Sequence, residues 1–348
     1  MKENWIYQIR GLAIIAVVVC HQQWLLHDSE IIQMFTLYSV TTLIFLMGVT
    51  KAISLKGHYA VNNESSGILV YSFKSMLPLL CAYTVATFVY SSYKQEIDFN
   101  RTWSDLLGFS AFGPAYFIRH YILLSLYAPF LYAVIKYILC KDTQKYYKII
   151  IFALFFTLVW IIGYGSIGRL DVVGQSYLFV YSVGLLFGQI KINKIKIIYF
   201  IPAMTVLLCG LISVKRFYFA RVAGVFDYSG GINFFAPKLQ MNPPNISVIL
   251  YSAGVIWTAY LFFEMFNKGE LRYGKILGQP FAILGKYSMD IFLWHMFIRQ
   301  CLNVYFAGMN QGVCKCFIYY FSMFFIPVFV RYTYTRVKIK MNEVLKCE

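Results

Sequence analysis

The stretch Arg10-Gly11-Leu12-Ala13-Ile14-Ile15-Ala16-Val17-Val18-Val19-Cys20-His21 opens on a guanidinium and closes on an imidazole, with nothing but apolar or small residues between. As a helix, eleven residues make about three turns and about 16 Å of rise, so the two polar side chains lie on nearly one face. In a bilayer this run sets Arg10 at one interface and His21 about halfway through the hydrocarbon core. Ionisable groups are costly there, and their presence points to function.

Working outward, the rest of the chain has the composition of a polytopic membrane protein. Of 348 residues, 59% are apolar and 13% charged, against about 25% charged in soluble domains. The expected fold is all-α and integral to the membrane. Ten apolar runs are long enough to be read as spans, at roughly 9–26, 31–53, 72–92, 115–139, 147–164, 173–189, 196–214, 246–266, 280–304 and 313–332. An even number of crossings puts both termini on one side. If that side is the cytoplasm, the inside segments hold about 21 of the 31 Lys and Arg residues, the bias that basic loops show. The loop 215–245 runs against this bias with Lys215, Arg216, Arg221 and Lys238, which long loops tolerate. The spans and their loops make one transmembrane domain over 1–335, with 336–348 as a basic cytoplasmic tail.

The formal net charge of +16 fits cytoplasmic loops facing anionic lipid better than nucleic acid. No zinc-finger spacing or RNA-binding aromatic signature accompanies it. The eight cysteines include no CxxC pair, and most read as small buried hydrophobes. Lys2 and Arg10 before an apolar run mimic a secretion signal, but no small-residue cleavage pattern follows. The run is therefore read as a retained first span. In 215–245, Phe217, Tyr218, Phe219, Phe226, Tyr228, Phe234 and Phe235 suit either stacking on sugar rings or lying on the membrane surface. GxSxG, HExxH and Walker A patterns are missing. No metal site and no tightly bound cofactor is expected.

Further stretches, taken in chain order, carry a resemblance. They are Leu43-Ile44-Phe45-Leu46-Met47-Gly48-Val49, then Phe73-Lys74-Ser75-Met76-Leu77-Pro78. Next come Pro114-Ala115-Tyr116-Phe117-Ile118-Arg119 with Tyr127-Ala128-Pro129. The last is Gly285-Lys286-Tyr287-Ser288-Met289-Asp290-Ile291-Phe292-Leu293-Trp294-His295. With the Arg10–His21 run, this series resembles the membrane acyltransferase 3 family, bacterial O-acyltransferases of surface glycans, over about 5–335. Met47 stands where serine is usual, Tyr116 where tryptophan is usual, and Lys74 alone remains of a basic pair.

The resemblance implies an enzyme of the bacterial cytoplasmic (inner) membrane that moves an acyl group, usually acetyl, from cytoplasmic acyl-CoA. The acceptor it implies is a hydroxyl, commonly on a cell-surface or lipid-linked glycan. Arg10 and His21 carry over as the functional pair. A guanidinium suits a nucleotide phosphate, and an imidazole suits removal of a hydroxyl proton near neutral pH. With Arg10, Lys74 is a candidate for binding acyl-CoA. Arg119 and His120 are candidates for stabilising the charged thioester oxygen, or for binding the nucleotide. Asp290 and His295 are either catalytic or structural contacts between helices. Arg299 reads as interfacial, and Glu264 as snorkelling or paired with a basic residue. A competing reading is an exporter of surface polysaccharide, against which stands the lack of an internal repeat.

Overall fold

The structure, a computed structural model, describes residues 4–21, 30–62, 65–92, 99–107, 113–140, 144–164, 174–190, 197–218, 244–269, 273–307 and 312–344. The described residues are almost entirely helical. In chain order the helices are α1 (Asn4–His21), α2 (Glu30–Thr36), α3 (Ser39–Asn62), α4 (Ser65–Ser92), α5 (Phe99–Leu107), α6 (Pro114–Cys140) and α7 (Lys145–Tyr164). They continue as α8 (Leu178–Gln189), α9 (Phe200–Tyr218), α10 (Ile246–Lys268), α11 (Gly274–Lys286), α12 (Ser288–Tyr305) and α13 (Val313–Val344).

Seven of these helices contain a segment long and apolar enough to cross a membrane: Asn4–His21, Met34–His58, Val70–Ser91, Pro114–Cys140, Lys145–Tyr164, Ile246–Lys268 and Val313–Met341. The protein is thus a multi-pass helical membrane protein, and seven spans are supported on length and composition where ten were expected. Phe200–Val214 is apolar but shorter. The run read as one span over 280–304 is two helices that meet at Tyr287. Hydropathy does not register that break. Within the run 173–189, the described part is a short 3-10 turn at Gln175–Tyr177 followed by the twelve residues of α8. The loop expected over 215–245 starts later than proposed, since α9 runs on to Tyr218. Its centre, with Phe226, Tyr228, Phe234 and Phe235, lies outside the described residues.

Packing is set by glycines that let backbones touch, the device expected where lipid supplies no hydrophobic drive between helices. A Cβ at Gly285 would fall on the Tyr7 carbonyl, and one at Gly11 on the Phe281 carbonyl. α11 is therefore pressed onto α1. Gly48 of α3 and Gly184 of α8 make the same close approach to the Tyr181 and Phe45 carbonyls. Around this second seam lies the main core, with Ile44, Leu46, Leu124, Tyr132, Tyr181 and Leu185 all buried.

Polar groups pin the bundle where α1 crosses α10. Gln8 Nε2 donates to Asn267 Oδ1 at 3.2 Å and Asn267 Nδ2 donates back to Gln8 Oε1 at 2.9 Å. Asn245 caps α10 by accepting from the Val248 amide at 3.2 Å, and Gly269, at φ 77°, ends it. α13, at about 46 Å, is longer than a hydrocarbon core of about 30 Å. Arg336, Lys338 and Lys340 in its last turns are exposed, and the helix runs through the boundary at 335 to Val344.

Candidate functional site

α1 carries a polar group at each end of its apolar stretch, and each end gathers different neighbours. Arg10 is half-buried, with its guanidinium 6.0 Å from the centre of the Tyr7 ring one turn back. Among the described residues no carboxylate pairs with it. Tyr121 of α6 lies within electrostatic reach of both Arg10 and Tyr71 of α4. Beyond Tyr71 stands Lys51 of α3, whose Nζ is 5.4 Å from the Tyr71 ring centre. Lys51 donates to Ser75 Oγ at 2.8 Å.

At the other end, the His21 ring meets the ring of His295 from α12, with centroids 5.2 Å apart and planes tilted by 39°. Arg299, one turn beyond His295, donates a guanidinium hydrogen to the His21 carbonyl. His295 is fully buried. Its Nδ1 lies 2.8 Å from the Phe292 carbonyl and 3.1 Å from that of Ile291. Carbonyls only accept, so these contacts assign the proton to Nδ1 and leave Nε2 as the acceptor. That Nε2 is buried and without a hydrogen-bond partner. An imidazole with a free lone pair beside a second imidazole and a guanidinium can accept a proton and stabilise developing negative charge.

The expected site residues separate into groups. Arg10 and His21 share α1 as read from their spacing. His21 is exposed on the protein surface and is the last described residue of α1. His295, with no clear role in the sequence, is brought directly to His21. Asp290, five residues earlier, turns to α13 and lies 3.9 Å from Arg331 in an ion pair. Arg119 packs with its guanidinium 5.9 Å from the centre of the Tyr116 ring. His120 is buried between Tyr116 and Tyr177, with Nδ1 2.9 Å from the Tyr116 carbonyl. Lys74 is exposed, with neither a hydrogen bond nor an ion pair among the described residues. Glu264 pairs with Lys268 at 3.9 Å.

Three residues were missed or under-read. Arg299 read as interfacial, and the one signal for it is its place one turn after His295. Lys51 sits where an apolar run ends, and reading the sequence alone assigned it no role. Gln8 lies two residues before Arg10, and nothing local marks Asn267 as its partner. Among the described residues no three His, Cys, Asp or Glu side chains gather as a metal set. A separate apolar cleft of about 530 Å³ between α1, α3, α8 and α10 is lined by Trp5, Phe45, Phe187 and Tyr260 among others. Its lining holds no imidazole, carboxylate or amine.

Comparison with known proteins agrees with this architecture. A family model described as an acyltransferase domain, that of the acyltransferase 3 family, matches residues 3–332. No curated protein and no solved structure matched. The match takes in α1 with Arg10 and His21, both histidines of the pair and Arg299, and it runs into α13. A helical chain with seven helices long and apolar enough to cross a membrane among its described residues, matched by this model over nearly its whole length, belongs to the acyltransferase 3 family of membrane acyltransferases.

Proposed function

We propose that this protein transfers an acyl group, acetyl first, from cytoplasmic acyl-CoA to a hydroxyl of a cell-surface or lipid-linked glycan. The reading includes a bacterial inner membrane and both termini in the cytoplasm. The observation that carries it is the His21–His295 pair about 16 Å along α1 from the half-buried guanidinium of Arg10. An acyl-CoA has an anionic nucleotide, a slender arm of comparable reach and a thioester at its tip.

The residues support a direct transfer. A sugar hydroxyl is a weak nucleophile near neutral pH. His21 takes its proton as the oxygen attacks the thioester carbon, forming the new C–O bond. The carbonyl oxygen gains the negative charge, and Arg299 is the nearest guanidinium to stabilise it. The intermediate collapses, the C–S bond breaks, and the departing thiolate recovers the proton from His21. The free Nε2 of His295 is left as an acceptor for the hydroxyl that approaches His21.

The test uses the purified full chain in lipid vesicles, acetyl-CoA labelled in its acetyl group, and membranes bearing lipid-linked glycan. Label appearing in a base-labile ester on sugar is the expected result. A strain lacking the gene that still displays fully esterified glycan would overturn the reading. Unmodified glycan trapped inside the cell would favour export instead.

A further inference from the structure

A lysine held half-buried between two helices, with no carboxylate beside it, is a cation short of a partner. Lys51 is in that position. Charges taken from water are ordinarily paired, yet the described surroundings of Lys51 are a hydroxyl and an aromatic ring. Lys51, Ser54 and His58 are spaced by three and four and share one face of α3. Tyr71 and Ser75, spaced by four, share the opposing face of α4. Contacts lock the two faces together. Ser54 Oγ and the Tyr71 hydroxyl are hydrogen-bonded, the His58 ring lies 3.6 Å from the Tyr71 ring, and Ser75 Oγ donates to the Ser72 carbonyl at 2.7 Å. With Ser75 so fixed, one of the three ammonium hydrogens of Lys51 is directed to it, and two are left for a ligand.

We propose that Lys51 binds a phosphate of the donor's nucleotide, as the second cation of a site whose first is Arg10. The inference rests on the reading that the donor is an acyl-CoA and deepens it by naming the group that holds the charged end. The Tyr71 ring faces Lys51 at 5.4 Å, and Tyr121 lies within electrostatic reach of both Tyr71 and Arg10, so the two cations share one neighbourhood that an extended polyanion can span. The assignment also accounts for α4. The basic residue expected to serve there, Lys74, is exposed, and Lys51 reaches the same turn of α4 from the neighbouring helix. The cation that the motif lacks is supplied from α3.

A phosphate at this place can belong to a nucleotide or to a lipid headgroup, and the experiment separates them. Transfer is measured with acetyl-CoA and with acetyl-pantetheine, which keeps the thioester and arm but has no nucleotide. Both are run in vesicles of phosphatidylcholine alone and with added phosphatidylglycerol. Lys51→Ala is expected to raise KM for acetyl-CoA about tenfold to a hundredfold, the range of a lost charge-assisted contact. The kcat, and the KM for acetyl-pantetheine, are expected to stay within about twofold. Lys51→Arg is expected to recover most of the loss, which a purely structural role does not predict. An unchanged KM for acetyl-CoA overturns the inference. So does an equal change with both donors, or a change that follows lipid composition and not the donor. A wild-type protein inactive with both donors would remove the donor reading itself, and this inference with it.

Discussion

The two ends of α1 are built differently, although one helix carries both. At the Arg10 end, cationic and hydroxyl groups are spread across α1, α3, α4 and α6, joined through tyrosine rings. At the His21 end, α1 and α12 bring two imidazoles into contact with one guanidinium beside them. A broad cationic surface suits holding a flexible polyanion. A close pair of titratable rings suits moving one proton. Under the proposed function, the difference teaches that holding and reacting fall to opposite ends of one helix.

Substitutions can break that contrast or sharpen it. The largest effect is expected from His21→Ala. Loss of a general base lowers kcat by about a hundredfold to ten-thousandfold and leaves the KM for acyl-CoA nearly unchanged, as read in steady-state assays with labelled donor. A kcat close to wild type would dissolve the contrast at its reacting end. Arg10→Gln is expected to do the opposite, raising KM for acyl-CoA about tenfold to a hundredfold with a much smaller change in kcat. If both variants move the same parameter, the two ends do not divide the labour.

Gly285→Val tests whether the rod is held as described. Its side chain meets the Tyr7 carbonyl, and overpacking of this kind costs about 1–3 kcal/mol. A lower midpoint of thermal unfolding in detergent is expected, together with losses at both ends of α1. The smallest effect is expected from Gln8→Leu. It removes the reciprocal pair with Asn267 and leaves one amide unpaired, at a cost of about 0.6–2 kcal/mol, visible as a modest drop in the same midpoint with kcat retained.

Much of this arrangement was legible in the sequence, and the reasons for the rest are physical. Apolar runs report helices because lipid demands them, so α1, α6, α7, α10 and α13 were visible as lengths of hydrophobic chain. The 3.6-residue repeat put Arg10 and His21 on one face with no structure needed. Hydropathy says nothing of two backbones in contact, so the break at Tyr287 and the pressing of α11 onto α1 stayed hidden. Residues 21 and 295 are far apart in the chain, and no local pattern announces that their rings meet. Lys51 was hidden for a different reason. A lysine at the end of an apolar run has the look of a boundary marker until the neighbouring helix is seen to place a hydroxyl and a ring against it.

The seam between α1 and α11 carries a mechanical consequence. Where two main chains touch through glycine, sliding is blocked and bending is resisted, so the span between the two ends of α1 works as a fixed gauge for whatever molecule lies along it. Any breathing that admits one substrate and lets another depart must then come from elsewhere, and the pair of α4 and α6, in which α4 packs chiefly on α6, is the natural shutter. A crosslink that staples that pair to α3 should stall turnover while leaving the gauge intact.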